Sequence, residues 1–384
     1  MKNTVAVIKC ETYEEELVYR AVKKASELAG GFGSFLKPGM RVLVKPNLLA
    51  AFFPEAAVTT HPAVVKAVIR LVKEFQAVPF LGDCHGGILT GSNELLTKTG
   101  MIKCASETKT EIVSLEKLGS DNYGGLVISK AIKEFDVIIN VGKFKTHMLT
   151  FLTGAVKNLF GLLPGMNKAN MHRLYPKQKD FSMMLLKVAG IVKPAFNITD
   201  GITGMEGEGP SGGTPRQIGV IIAARDAVAS DYIMGKIAGI DPLTLPVIKE
   251  AVAQGFNPAE MEVTGGPLEM FTVKDFRMPL SYGGDGGSVK ENIFKRILKS
   301  VLFPLYWKLA TVKPKIQNEK CQKCNACVRA CPVEAIAYAF GFPKVKAKKC
   351  IECYCCHELC PHRAIALDTG FIVKLWLLVR RTEK

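Results

Sequence analysis

The feature that most constrains this chain is a cysteine spacing that occurs twice. "CQKCNACVRACP" reads Cys321-x2-Cys324-x2-Cys327-x3-Cys331-Pro332. Nineteen residues after Cys331, "CIECYCCHELCP" repeats it as Cys350-x2-Cys353-x2-Cys356-x3-Cys360-Pro361. This is a spacing by which a chain wraps [4Fe–4S] clusters, the fourth cysteine of each run ligating the other cluster. Three cysteines at two-residue gaps curl a loop around one corner of a cube, and the fourth, read here as opening the next helix, points away. The spacing predicts two clusters: Cys321, Cys324 and Cys327 with Cys360, and Cys350, Cys353 and Cys356 with Cys331. A zinc knuckle uses CxxC pairs or Cys/His mixtures and leaves two matched quartets unexplained. A disulfide framework belongs to an oxidising compartment. The phrases "PVEAIAY" and "PHRAIAL" after the quartets read as helix-like parts of a pseudo-twofold ββα-type repeat. Cys355 is surplus and reads as a packing or weakly reactive thiol.

The remaining chain is long enough for a large core, since 384 residues are present with 48% hydrophobic and 22% charged side chains. The start shows no long apolar stretch before a small-residue cleavage site, and no run of ~18 apolar residues occurs, so a cytoplasmic chain without a spanning helix is expected. Charge is uneven: between Val289 and Lys349 fourteen Lys/Arg face three acidic residues, a net +11 of the total +16. A basic region suits nucleic acid, an anionic membrane or an acidic protein. Each cluster with its thiolates carries about −2 and offsets part of that charge. A basic strand interleaved with aromatics is missing, so no nucleic-acid partner is expected.

Residues before about 290 alternate apolar runs with amphipathic stretches. Strands are expected at 5–9, 41–49, 78–83, 136–144, 195–201 and 218–224, and helices at 13–29, 62–76, 92–101, 182–192 and 226–238. The fold expected is an α/β layered domain with a mainly parallel sheet, followed by a small α+β two-[4Fe–4S] ferredoxin-like domain. Parallel sheets bind ligands at the carboxyl ends of their strands, and those ends carry polar groups: Lys45 and Asn47, Asp83 and His85, Lys145 and His147, Asp200 and Glu206. With Lys157 and Asn158 they are expected to share one pocket, Asp200 and Glu206 at its rim. His147 is the first choice for proton transfer because an unperturbed imidazole titrates near working pH. Lys145 and Lys157 would hold an anion, and Asp83 would orient His85 or a metal. Lysines facing one cavity repel each other unless an anion neutralises them, so a carboxylate- or phosphate-bearing small molecule is the expected ligand. The glycine-rich "GEGPSGG" fits no standard phosphate loop and reads equally as an anion wrap or a plain loop. No Ser-His-Asp order or HExxH supports hydrolysis.

The phrases "LVKPNLL", "GD" after a strand, "KFKTHMLTFLTGAVKNLFGLLPG" and "DGITGMEGEGP" resemble domain of unknown function family 362, over roughly residues 1–285. That family is often followed by two ferredoxin-type clusters, here 315–365, and its substrate is generally unassigned. A fainter likeness, carried by His147, Gly154, Lys157 and "GLLPG", is to the N-terminal domain of nickel-pincer lactate racemases. It implies Lys157 as cofactor tether, His147 as acid/base and His172 near the expected metal-ligand position.

The expected organisation is an α/β domain over 1–288, a basic amphipathic connector over 289–314, the cluster domain over 315–366 and an apolar, basic tail over 367–384. The stretch 291–315 reads either as a helix lying on a membrane surface or as a connector packed on the core. A carrier needs only the cluster module, so a redox enzyme is expected, fed by an external ferredoxin or flavoprotein and passing electrons to an anionic substrate or cofactor in the cleft. A partner that delivers electrons to another enzyme and a racemase-like metalloenzyme are the alternatives. Whether a flavin or other organic cofactor occupies the cleft stays open.

Overall fold

A computed structural model of the chain describes residues 3–84, 93–282 and 312–369. His85, most of the connector (289–311) and the tail from 370 lie outside the described residues.

The strands of the first part are β1 (Asn3–Lys9), β2 (Arg41–Pro46), β3 (Val78–Leu81), β4 (Glu111–Ile112), β5 (Ser120–Tyr123), β6 (Leu126–Ser129), β7 (Val137–His147), β8 (Phe151–Thr153), β9 (Phe196–Glu206), β10 (Thr214–Ala224) and β11 (Met261–Thr264). All but the small β5–β6 hairpin join one nine-stranded sheet in the order β11-β1-β10-β9-β7-β2-β3-β4, with β8 folded back on β7. Pairs β9–β7, β7–β2, β2–β3, β3–β4 and β1–β11 are parallel, while β10 runs antiparallel to both neighbours.

Side chains of a strand alternate between faces, and here alternate residues enter different cores. Val42 and Val44 of β2 pack under the helices Glu15–Leu28 and Pro62–Glu74, while Leu43 between them packs toward Gln178–Val192 on the other side. Ile221 and Ala223 of β10 likewise face the first helix layer, and Val220, Ile222 and Ala224 face Ala227–Ile237. Both faces are therefore covered, as a largely parallel sheet requires, and the domain is a three-layer α/β/α sandwich.

Chain order creates a switch point. From β2 the chain moves outward through β3 and β4, then returns to place β7 on the opposite side of β2 and β9 beyond it. At such a reversal the loops leaving two neighbouring strands diverge and leave a crevice at their carboxyl ends. Asn47 follows β2, and Lys145 and His147 end β7.

The second part has β12 (Val312–Ile316), β13 (Ile336–Ala339), β14 (Phe342–Val345) and β15 (Ile365–Thr369), paired antiparallel as β12–β15 and β13–β14. Single-turn helices, Ala326–Ala330 and Cys355–Glu358, fall inside the cysteine runs. This corrects two expectations: "AIAY" and "AIAL" are strands, and the fourth cysteine follows its short helix instead of opening one. Alternating apolar residues in both phrases suit a half-buried strand.

Candidate functional site

The segment from β7 to Leu162 builds the floor of the crevice. β7 is buried along its whole length, and β8 pairs with its end as Lys145↔Thr153 and His147↔Phe151. Phe151 lies in the left-handed region at φ 64°, a strained setting for an aromatic residue and of the kind found near sites. Gly154 then opens the turn Ala155–Asn158. A Cβ there would fall 2.2 Å from Asp231 Oδ1, because that carboxylate accepts from Ala155 N at 2.6 Å and Val156 N at 3.0 Å. Asp231 thus clamps the turn that carries Lys157 and Asn158.

Four asparagines tie the strand ends together. Asn47 donates to Asn158 (3.0 Å), Asn158 to Asn140 (2.8 Å) and Asn140 to Asn197 (2.8 Å), crossing β2, β7 and β9. Asn47 Oδ1 also accepts from Lys145 Nζ at 2.9 Å, and Val58 O accepts from the same ammonium at 2.6 Å. Asn140 and Asn197 were missed in the sequence because each stands inside a strand, near its start and away from the carboxyl end; a polar residue within a buried strand was the available signal.

Above this floor lies a cavity of about 100 Å³, walled by Asn47, Asp83, Lys145, His147, Lys157, Asn158, Lys168 and His172 of the α/β domain and by Ala330, Cys355, Glu358 and Leu359 of the cysteine module. Six of the expected pocket residues thus share one space. Lys45 lies beneath it, fully buried, its Nζ 2.8 Å from Asp83 Oδ1. Gly161 leaves room for this pair: a Cβ there would stand 2.5 Å from Lys45 Nζ. Asp83 also accepts from Leu48 N at 3.0 Å, so among the described residues it holds Lys45 and a loop.

Two residues do not reach the rim. β9 runs on past 201 to Glu206, which puts Asp200 in mid-strand, buried and 2.7 Å from Lys143 Nζ. Tyr13 completes that cluster, donating to Asp200 at 3.0 Å and accepting from Lys143 at 3.0 Å. Glu206 is engaged by Arg277, at 2.9 Å to Nε and 3.1 Å to the backbone N.

His147 is also corrected in character. Its Nδ1 accepts from Leu149 N (3.0 Å) and Thr150 N (3.2 Å), which fixes the proton on Nε2. Burial and the neighbouring Lys157 push its pKa down to about 4, so it is a neutral donor at neutral pH. Nε2 stands 2.8 Å from Glu358 Oε1, off the ideal hydrogen-bond line, so both atoms keep unused capacity. Burial alone would raise the Glu358 carboxyl, but His147 and Lys157 outweigh it and hold it ionised. Lys145 takes over the near-neutral role: burial, then Lys157, lower it to about 7. Burial lowers Lys157 as well, and its ammonium lies 5.3 Å from the Phe160 ring centre. His172, stacked on Phe181 at 4.5 Å, is pushed down to about 3 by burial. Glu358 is the residue sequence reading missed; its signal was an acidic residue inside a cysteine run.

The module is seated by its second run. His357 presents one ring nitrogen to Glu208 O at 3.1 Å and the other to Ile365 O at 2.7 Å, and Ser211 Oγ donates to His357 O at 3.2 Å. A Cβ on Gly212 would meet His357 Cε1 at 2.6 Å. The glycine-rich loop is thus neither an anion wrap nor a free loop but the seat of the module.

All twelve cysteines are free thiols. Eight of them divide between two small cavities, one walled by Cys321, Cys324, Cys327 and Cys360, the other by Cys331, Cys350, Cys353 and Cys356. Backbone conformation repeats with them: Lys323, Asn325 and Glu334 have positive φ, and so do Glu352, Tyr354 and Arg363, at the same offsets from Cys321 and Cys350. Such alternation turns successive N–H groups inward and suits an anionic guest. Ala335 N donates to Cys331 Sγ at 3.1 Å, and Ala364 N to Cys360 Sγ at 3.2 Å. Among the described residues no three His, Cys, Asp or Glu converge on a single ion; the thiols surround cavities instead, which fits iron–sulfur centres. Lys157, His147 and His172, the positions implied by the racemase likeness, share the main cavity, but among the described residues no set of three metal-ligating side chains joins them there, which does not fit a nickel-pincer site.

Comparison with known proteins places the chain by its sequence. Residues 314–337 match a 4Fe-4S binding domain. A thylakoid-associated protein of Synechocystis sp. is 34% identical over 296 residues, covering 74% of this chain and 91% of that protein. Among solved structures, the lactate racemase apoprotein from Thermoanaerobacterium thermosaccharolyticum is 13% identical with a TM-score of 0.39, covering 59% of this chain and 55% of that one. A Thermotoga maritima protein is 14% identical with a TM-score of 0.34, covering 57% of each chain. The chain thus spans little more than half the length of either solved structure. Residues 42–236 match a domain of unknown function, DUF362, and the chain belongs to that family.

Proposed function

We infer that this chain is a redox enzyme in which two [4Fe–4S] clusters serve a small anion held in the cavity at the β2–β7 switch point. One observation carries the reading: the second cysteine run supplies a wall of that cavity, through Cys355, Glu358 and Leu359. Cys331, Cys350, Cys353 and Cys356 would hold the nearer cluster, and Cys321, Cys324, Cys327 and Cys360 the farther one. Bound clusters of this kind supply single electrons at low potential.

The chain's own residues do the rest. Lys145 and Lys157 hold the anion, and the neutral Nε2–H of His147 orients it as a donor. Lys145, lowered to about 7, has a proton to give at neutral pH, matched to the task of a general acid. Phe160 and the module exclude water, which strengthens each of these interactions. Carboxylate- and phosphate-bearing molecules are the substrate class that this charge favours.

Anaerobic reconstitution tests the reading. The loaded chain should contain about eight irons and eight sulfides; about four would contradict two clusters. After reduction and desalting, a panel of small carboxylates and phosphates should include one that reoxidises the chain, and Lys145→Met should abolish that reaction at unchanged iron content. The Synechocystis relative is thylakoid-associated by name, and no helix among the described residues is long and apolar enough to cross a membrane. A peripheral membrane position is therefore proposed as well, to be checked by whether salt-washed membranes release the protein.

A further inference from the structure

The hairpin β13–β14 carries a residue that folding does not explain. Its two-residue loop is Phe340-Gly341, with φ of 54° and 77° and Ala339 paired to Phe342. This is the type I′ geometry, where Asn-Gly or Gly-Gly is favoured because both residues need positive φ. An aromatic residue in that setting is strained, and Phe340 is 99% exposed, so no burial offsets the cost. Tyr338, on the same hairpin, is 47% exposed.

The hairpin is tied to the first cysteine loop. Tyr338 Oη donates to Asn325 Oδ1 at 2.5 Å and lies 3.3 Å from Lys323 O. Lys323 Nζ sits over the Phe342 ring at 4.3 Å. Next to them Cys324 is an exposed thiol, alone in that among the twelve cysteines. Lys320, Lys323 and Lys344 are exposed on or beside the first run and the hairpin, with Glu319 and Glu334 the exposed acidic residues of the same stretch. The opposite end of the module is the one buried against the α/β domain, where Tyr354, Cys355, Cys356, His357 and Glu358 lie.

We propose that Phe340, Tyr338 and the lysines around Cys324 form a docking face for an acidic one-electron carrier protein, which delivers electrons at the first cysteine loop. The proposal rests on the redox reading above and adds the point of entry. Charge complementarity selects the partner: an exposed aromatic anchor ringed by lysines matches an acidic protein surface. In each encounter one electron leaves the carrier's reduced centre, which is oxidised. A centre held by Cys321, Cys324, Cys327 and Cys360 would accept it and so be reduced, with no bond made or broken.

Binding is measured apart from turnover, so that it can succeed or fail independently of the cavity chemistry. The reconstituted full chain is titrated calorimetrically with an acidic plant-type [2Fe–2S] ferredoxin, with basic cytochrome c as the control. Ferredoxin should bind, with affinity falling as salt rises, and cytochrome c should not. Phe340→Asn should weaken binding by about tenfold while leaving iron content and melting temperature unchanged or higher, because Asn-Gly suits the turn. Lys323→Glu with Lys344→Glu should weaken it further and flatten its salt dependence. The proposal is overturned if Phe340→Asn binds like the parent, if cytochrome c binds equally well, or if Phe340 instead mediates self-association that Phe340→Asn abolishes.

Discussion

The two cysteine runs share spacing and backbone conformation yet live in opposite surroundings. Twenty-nine residues separate equivalent positions, so Lys323 corresponds to Glu352, Asn325 to Tyr354, Ala326 to Cys355, Val328 to His357 and Arg329 to Glu358. In the first run Lys323, Cys324 and Arg329 are exposed; in the second, Tyr354 through Glu358 are buried. Cysteine spacing and positive-φ positions set the cradle, which is common to both. The residues between ligands decide which run meets solvent and which meets the α/β domain: His357 enters the glycine-rich seat and Glu358 faces His147.

The largest expected effects come from breaking the equivalence at the ligands. Cys331→Ser and Cys360→Ser should each lower iron from about eight to about four per chain, each through loss of the centre wrapped by the other run. Cys355→Ser should keep all eight, and iron loss there would reassign the surplus thiol as a ligand.

Next come the non-ligand positions, compared pairwise. Glu358→Ala removes a buried carboxylate beside His147 and Lys157 and should cost roughly 3 kcal/mol in denaturant unfolding. Arg329→Ala, at the equivalent exposed position, should stay within about 0.5 kcal/mol. Similar losses in both would mean that the runs are not distinguished by their surroundings. Gly212→Ala should cost roughly 1–3 kcal/mol, since a methyl group would strike the His357 ring, and protease should then cut more readily between the two parts.

Much of the fold and of the cavity was legible in sequence, while the asymmetry between the runs was hidden for identifiable reasons. Cysteine spacing is local, so the quartets could be read directly. Strand ends could be read from apolar runs that stop at polar residues, which brought Asn47, Asp83, Lys145 and His147 to one edge. Asp200 misled because β9 continues through "DGITGME", a stretch whose two glycines and acidic residues resemble a loop; pairing with β10 carries it onward. Glu358 and the seat of His357 depend on how two distant parts meet, and no periodicity within either part records that. His147 looked like the acid because an isolated imidazole titrates near neutrality, and only the two backbone donors to its Nδ1 and its burial revealed otherwise.

The last effect is a slope in stability against pH. Lys145 is lowered to about 7 in the folded chain, while a free lysine titrates near 10.4. Between those values the unfolded chain binds more protons, so stability should rise with pH across that window, by at most about 1.4 kcal/mol per unit. Below about 7 both states hold the proton and this contribution to the slope vanishes. Lys145→Met should flatten the rise, and an unchanged slope would show that Lys145 is solvated. Occupancy by an anion should raise the folded-state pKa of Lys145 and narrow the window from its lower end.

On the proposed reading, the centre held by Cys331, Cys350, Cys353 and Cys356 communicates with the lysine-lined cavity, whose wall takes Cys355, Glu358 and Leu359 from the second run and Ala330 from the first. Electron paramagnetic resonance of the reduced, reconstituted chain, recorded with and without inorganic phosphate or acetate, tests it most directly. The signal of the centre held by Cys331, Cys350, Cys353 and Cys356 should shift with anion, the other should stay fixed, and Lys145→Met with Lys157→Met should remove the shift. A shift confined to the centre of the first run, or none at either centre with any anion tried, would contradict it.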